Sequence, residues 1–131
     1  MKTIGIVGSR SRNSKEDYEK CVEAFLSAYE YGNEIVSGGC PKGGDNFAEI
    51  IARKYQIPIK IYYAQWDKLG KSAGFARNGD IAKAADVLIA VVAKDRKGFG
   101  TEDTIKKAEK LGKRIVLVSP PDELDDDLGL D

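Results

Sequence analysis

The residues best suited to chemistry stand together in the glycine-rich stretch Ile35–Asp45, whose sequence is Ile-Val-Ser-Gly-Gly-Cys-Pro-Lys-Gly-Gly-Asp. Its four glycines permit positive φ angles and a close approach of the backbone to a ligand. An apolar run typical of a strand leads into the stretch and an amphipathic run typical of a helix follows it. The N–H groups at the helix start would therefore point into the turn. Together with the charge of Lys42, this arrangement suits a bound phosphate group.

The spacing of the glycines leaves two interpretations open. Neither G-x-x-x-x-G-K-[ST] nor G-x-G-x-x-G occurs anywhere in the chain. The stretch is therefore either a different solution to nucleotide binding or a tight turn between a strand and a helix.

The apolar pattern predicts five strands that alternate with four helices. The strands are predicted at Thr3–Val7, Glu34–Val36, Ile57–Tyr63, Val87–Val92 and Arg114–Val118. One helix is predicted at Phe75–Ala84, and the others start at the caps Ser14, Asp45 or Asn46, and Thr101 and run to Gly32, Lys54 and Leu111. Long loops are predicted at Ala64–Gly74 and Ala93–Gly100. Because each parallel return needs a crossover, this alternation predicts an α/β fold with a mostly parallel sheet and helices on both faces.

The unusual stretches all follow predicted strands. They are Gly8-Ser9-Arg10, Ser37–Asp45, Trp66–Asn78 and Lys97–Thr101. Ligands of such sheets bind outside the carboxyl ends of the strands. Four stretches on one rim favour a binding site over unrelated turns, which would be spread over both rims.

Composition and charge favour an intracellular protein with an anionic partner. The 131 residues fit one domain at 1–121, followed by an acidic tail at 122–131 that we expect to be flexible. The tail holds six of the 21 acidic residues and no basic one, so the body carries all 21 basic residues against the other 15 acidic ones. A basic body suits an anionic small molecule and, more weakly, a nucleic acid.

Other compositional features exclude whole classes. The chain has no apolar run that could cross a membrane, and its start is typical of a strand and lacks the longer apolar segment of a signal peptide. We therefore expect a cytoplasmic location and no membrane partner. Two cysteines, Cys21 and Cys40, make neither a disulfide framework nor a metal site. The absence of histidine excludes a Cys-His mechanism.

The order of these motifs resembles the SLOG superfamily, and within it the small YspA-like, YpsA-related group. The resemblance runs from about Ile4 to Val118 and rests on these segments: Gly8-Ser9-Arg10, Ser37-Gly38-Gly39, Gly43-Gly44-Asp45, Trp66-Asp67, Gly70-Lys71, Ala73-Gly74, Arg77-Asn78, Ala85–Ala90, Gly98, Gly100-Thr101 and Gly112-Lys113. It implies a Rossmann-like, doubly wound fold, a homo-oligomer (dimer or tetramer), and a nucleotide or ADP-ribose-type ligand held at the glycine loops. No cofactor is required for this binding.

The resemblance and the rim together assign the ligand-binding residues. They are Gly8, Ser9, Arg10, Ser37, Gly38, Gly39, Lys42, Gly43, Gly44, Asp45, Arg77, Asn78, Gly98, Gly100 and Thr101. Arg77 would clamp a phosphate bidentately, which Lys could not reproduce. Asp45 and Thr101 have a simpler interpretation as helix caps, and for Thr101 both roles are compatible.

The same resemblance suggests two alternative functions. Lonely Guy enzymes of this superfamily hydrolyse an N-glycosidic bond with a P-G-G-x-G-T-x-x-E motif, whose final Glu falls on Thr104 here. An enzyme of this kind, a nucleoside 5'-monophosphate phosphoribohydrolase, would have to use Glu102 or Asp45 as its catalytic carboxylate. The resemblance to DNA-processing protein A suggests nucleic-acid binding as the second alternative.

Overall fold

The computed structural model describes residues 2–94 and 99–120. Gly98 and the predicted acidic tail at 122–131 lie outside the described residues. Within the described part of the chain, no helix is long and apolar enough to span a lipid bilayer.

Five parallel strands form one sheet, which confirms the predicted α/β, Rossmann-like fold. They are β1 (Thr3–Gly8), β2 (Glu34–Ser37), β3 (Ile59–Ile61), β4 (Val87–Val91) and β5 (Arg114–Val118). The order across the sheet is β3-β2-β1-β4-β5, and every neighbouring pair is parallel. The order reverses direction at β1, so the loops after β1 and β2 and those after β4 diverge at one rim, where such folds bind ligands.

Helices cover both faces of the sheet. Helices α1 (Lys15–Ala28) and α2 (Gly44–Tyr55) pack on one face, and α4 (Ala73–Ala84) and α5 (Phe99–Lys110) pack on the other. The short helix α3 (Trp66–Leu69) and a 3₁₀ turn at Gly70–Ser72 lead into α4.

The apolar run of β4 shows why these strands carry no polar alternation. Ile89 and Val91 point into the core beneath α1 and α2, while Leu88 and Ala90 belong to the core beneath α4 and α5. Successive side chains of a strand face opposite sides, so a strand covered on both faces must be apolar at every position.

The predicted N-cap is confirmed for α1, and the predicted N-caps of α2 and α5 differ from the observed helix starts. Ser14 caps α1 in a reciprocal capping box with Asp17, as its position predicts. The caps predicted at Asp45 or Asn46 and at Thr101 are wrong. Gly43 is the N-cap of α2, so Asp45 lies in its first turn, and Thr101 lies inside α5.

Three predicted boundaries also change. The stretch Ala64–Gly74 is not a continuous loop, because α3 and the 3₁₀ turn lie within it. Helix α1 ends at Ala28, before Gly32, and β3 is limited to three residues because only Ile35–Ser37 of β2 pair with it.

Candidate functional site

A pocket of about 420 Å³ lies at the carboxyl rim of the sheet, within the size range of small-molecule sites. Its walls come from the loop after β1, the glycine-rich loop with the start of α2, the first half of α4 and the first turns of α5. Eight residues predicted to bind the ligand line it: Gly8, Ser9, Arg10, Asp45, Arg77, Asn78, Gly100 and Thr101. The structure therefore brings together segments that are far apart in the sequence.

Other predicted site residues do not line this pocket. They are Ser37, Gly38, Gly39, Lys42, Gly43, Gly44 and the catalytic candidate Glu102. Lys42 is exposed at the surface of the glycine-rich loop. Gly98 lies outside the described residues, so its predicted role has no structural counterpart here.

Gly43 and Gly44 allow two loops to lie in direct contact. Gly43 has a φ of 75°, and its N–H donates to the side-chain oxygen of Asn13 at 2.8 Å. A β-carbon at Gly43 would collide with the carbonyl of Ser9, and one at Gly44 with the carbonyl of Val7. The close approach that these glycines permit is between the backbone segments after β1 and after β2.

Gly39 has a comparable role beside β3. Its φ is 78°, and a β-carbon there would lie 2.6 Å from Cε1 of Tyr63. The tyrosine ring therefore packs directly against the glycine-rich loop.

Asp45 contacts two residues of the glycine-rich stretch and holds it against the start of α2. Its carboxyl group contacts the Ser37 hydroxyl, with Oδ1 and Oγ 3.1 Å apart, and its Oδ2 accepts the N–H of Cys40 at 3.2 Å. The side chain is buried although it lines the pocket. Burial raises the pKa of Asp45, and the hydrogen bonds from Cys40, Ser37 and Gly38 together with the charge of Arg77 offset only part of that rise.

Arg77 lines the pocket and is held in place by hydrogen bonds. Its Nη1 donates to the carbonyl of Gly38 at 2.6 Å, and its Nε donates to Oδ1 of Asn78 at 3.0 Å. These two bonds fix the guanidinium plane relative to both α4 and the glycine-rich loop.

Asn78 connects this guanidinium to α5. Its amide nitrogen donates to the carbonyl of Gly100 at 3.3 Å and to Oδ2 of Asp103 at 3.1 Å. Asp103 in turn forms an ion pair with Lys107, whose Nζ lies 2.6 Å from its Oδ2. Asn78 is buried and bonded at both ends of its amide, so its observed contacts position Arg77 and α5.

Thr104 and Cys40 line the pocket although neither was among the predicted binding residues. Thr104 is buried, lines the pocket and donates to the carbonyl of Gly100 at 2.9 Å. Cys40 also lines the pocket and is partly exposed, whereas Cys21 is fully buried and burial raises its pKa to about 12. The alignment of Thr104 with the motif's Glu was the one hint that this position faces the site.

A second arginine, Arg12, was missed because its carbonyl partners are distant in the sequence. It is 5% exposed, pairs with Asp17 at 2.7 Å, and its Nη1 donates to the carbonyls of Val92 and Val118, each at 2.8 Å. These bonds tie the ends of β4 and β5 to α1, outside the pocket.

Comparison with known proteins finds a similarity to a phage protein. The chain is 27% identical over 122 residues to the "Gene 61 protein" of Mycobacterium phage D29, covering 88% of this chain and 95% of the phage protein. No family model matches the chain. No solved structure matches it.

Proposed function

We propose that this protein binds a nucleotide or a nucleotide-derived, ADP-ribose-like ligand, with a phosphate group in the rim pocket. The observation that carries the proposal is Arg77, a half-buried arginine fixed at the pocket wall. A guanidinium has five N–H donors in a fork that matches phosphate oxygens, and the bonds to Gly38 and Asn78 use part of that capacity.

The start of α5 supplies further donors to the same pocket. Gly100 and Thr101 belong to the first turn of α5, where backbone N–H groups have no acceptor within the helix and the helix dipole favours an anion. The Thr101 hydroxyl and the exposed Arg10 add further donors around the pocket. A phosphate in the pocket would have donors from both Arg77 and the start of α5.

The resemblance to the SLOG superfamily supports the same function. Its glycine-loop motifs correspond to the segments around this pocket, and the family theme is a nucleotide-type ligand. We also propose, on that resemblance alone, that the protein is cytoplasmic and forms a homo-oligomer.

A hydrolase of nucleotide N-glycosidic bonds is the second candidate, and Asp45 is the observation that favours it. Asp45 is a buried carboxyl group on the pocket wall with a raised pKa, as general acids often have. Glu102 is not among the residues that line the pocket. Release of free base from AMP or GMP that is lost in Asp45→Ala would support hydrolysis, and binding without any release would exclude it for those nucleotides.

A thermal-shift screen tests the binding proposal. The protein is heated with AMP, ADP, ATP, NAD, ADP-ribose, cyclic nucleotides and molybdopterin-type ligands, and the screen is repeated with Arg77→Ala and Thr101→Ala. A ligand at about 100 times its Kd adds roughly 2.7 kcal/mol to the free energy of unfolding, which corresponds to several degrees in Tm.

Lys106→Ala is the matched control, because Lys106 is exposed on α5 and does not line the pocket. We expect this variant to keep the shift and both pocket variants to lose it. An absent shift with every ligand, or an equal shift in Arg77→Ala, would contradict the proposal.

A further inference from the structure

The Ser37 hydroxyl lies between two oxygen atoms that can each accept its proton. Its Oγ is 2.5 Å from the carbonyl oxygen of Ile6 and 3.1 Å from Oδ1 of Asp45. A hydroxyl group has one proton to donate, and a carbonyl oxygen can only accept. The shorter distance assigns the serine proton to Ile6. The contact between Oδ1 and Oγ then becomes a hydrogen bond if Oδ1 itself carries a proton.

The other oxygen of Asp45 has the opposite environment. Oδ2 accepts the Cys40 N–H at 3.2 Å, and the N–H of Gly38 also donates to this carboxyl group. Oδ2 therefore has the partner of a carbonyl oxygen, while Oδ1 faces a hydroxyl oxygen whose proton lies towards Ile6. This asymmetry is the pattern of a neutral carboxylic acid in a chain that runs from Asp45 through Ser37 to Ile6.

A charged ligand in the pocket would change the pKa of Asp45, because few charged groups surround this carboxyl group. The charged or titratable groups that line the pocket with it are Arg77 from α4, Arg10 from the loop after β1 and Cys40 from its own loop. The residues that α5 contributes to the lining carry no charge. A bound anion would add negative charge beside a buried carboxyl group, which disfavours its ionised form.

We propose that the pocket binds its anion together with one proton, held on Oδ1 of Asp45 and donated to Oγ of Ser37. This inference rests on the proposed function, since it describes how the same pocket accepts a phosphate group next to an aspartate. The proton comes from solvent and no bond in the ligand changes. Burial, which already raises the pKa of Asp45 in the free protein, acts in the same direction. Affinity should therefore fall as the pH rises, by up to about tenfold per pH unit.

Calorimetric binding of ADP-ribose measures this proton directly. The pyrophosphate of this probe keeps its charge around neutral pH, so any pH dependence belongs to the protein. Titrations in two buffers of different ionisation enthalpy, at several pH values from neutral upward, give the number of protons taken up. We expect uptake to approach one proton as the pH rises, because Asp45 of the free protein is then ionised.

Asp45→Asn is the decisive variant because an amide reproduces the protonated acid. Its nitrogen can donate to Ser37 and its oxygen can accept from Cys40, so the variant should fold normally. We expect it to bind ADP-ribose at least as tightly as the wild type, with no proton uptake and a flat pH profile. Binding by the wild type without proton uptake, or loss of binding in a folded Asp45→Asn protein, would overturn the inference.

Asp17→Asn is the matched control for folding, because Asp17 is equally buried but pairs directly with Arg12. This control should lose stability while Asp45→Asn does not.

If ADP-ribose binds neither the wild type nor Asp45→Asn at any pH, the proposed function fails for that ligand. A carbon-13 NMR titration of the free protein then measures the protonation of Asp45 separately. A carboxyl pKa for Asp45 above 3.8 then supports the inference, and a value at or below 3.8 overturns it.

Discussion

Two buried aspartates, each near an arginine, have opposite environments in this protein. Asp17 forms a direct 2.7 Å ion pair with Arg12, and the pair is almost fully buried. Asp45 instead contacts a hydroxyl group and backbone N–H groups, while the nearby Arg77 donates to the carbonyl of Gly38. Only the second arrangement borders the pocket.

The pKa values of the two carboxyl groups differ accordingly. Burial opposes ionisation at both sites. At Asp17 the hydrogen bonds from Arg12 and Ser14 and the charge of Arg12 outweigh burial and hold the pKa below 3.8. At Asp45 burial outweighs the hydrogen bonds and the charge of Arg77, so the pKa is raised. Arg12 and Asp17 neutralise each other within the fold, whereas Arg77 forms no ion pair with a described residue and keeps its charge for a ligand.

Removal of Arg12 should have the largest effect on stability. Arg12→Ala leaves a buried carboxylate without its partner and two carbonyls without their donor, so we expect a loss of about 3–5 kcal/mol in the free energy of unfolding. Urea denaturation measures this loss. Arg10→Ala is the control, since Arg10 is exposed two residues away and should change stability by less than about 0.5 kcal/mol. Equal stability of Arg12→Ala and Arg10→Ala would contradict the claim that the Arg12–Asp17 pair is needed for folding while Arg10 is not.

A second comparison concerns two glycines with positive φ, one of which lies in the contact between the loops after β1 and β2. Gly43 and Gly112 have nearly equal φ angles of 75° and 71°, but only Gly43 has a neighbouring carbonyl where a β-carbon would be. Gly112→Ala should cost about 1–2 kcal/mol for the left-handed conformation alone. Gly43→Ala should cost roughly 1–3 kcal/mol more, because a φ of 75° with a ψ of −153° is a conformation nearly confined to glycine and because the loops after β1 and β2 must separate. Equal losses in thermal or urea denaturation would show that these loops tolerate separation.

The smallest effect is the pH dependence of stability, which should have opposite signs at the two aspartates. The pKa of Asp17 is lowered in the fold, so its contribution is present above pH 3.8 and is lost as the pH falls through the lowered value. The pKa of Asp45 is raised, so its contribution is present below pH 3.8 and is lost as the pH rises through the raised value.

Urea denaturation of wild type and of each Asp→Asn variant at a series of pH values tests both signs. The stability of Asp45→Asn relative to wild type should improve as the pH rises above 3.8, and that of Asp17→Asn should improve as the pH falls below it. Parallel curves for wild type and Asp45→Asn would contradict a raised pKa in the fold.

The sequence predicts the fold well because each strand and helix is marked locally. Apolar runs such as Val87–Val91 identify strands covered on both faces, and Gly112, with its positive φ, ends α5 where the pattern places the stop. The rim was also predictable, since the carboxyl ends of parallel strands share one edge of the sheet.

The roles of individual site residues depend on contacts that no local pattern contains. Asp45 is a residue type typical of a helix cap, yet it lies in the first turn of α2, where it contacts Ser37. Gly43 lies in a stretch whose composition is typical of a phosphate-binding loop. Its N–H nevertheless donates to Asn13, 30 residues earlier. Arg12 bonds to carbonyls 80 and 106 residues away, so its burial leaves no trace in the neighbouring sequence.

The most direct test of the central claim is a nitrogen-15 NMR titration that follows the Nε–H signals of Arg77 and Arg12 as ADP-ribose is added. The two side chains report on the pocket and on the closed ion pair within one sample. The account predicts that the Arg77 signal and the amide signals of Gly100 and Thr101 shift to saturation while the Arg12 signal stays fixed. A saturable shift confined to residues outside the pocket, with Arg77 unchanged, would contradict it.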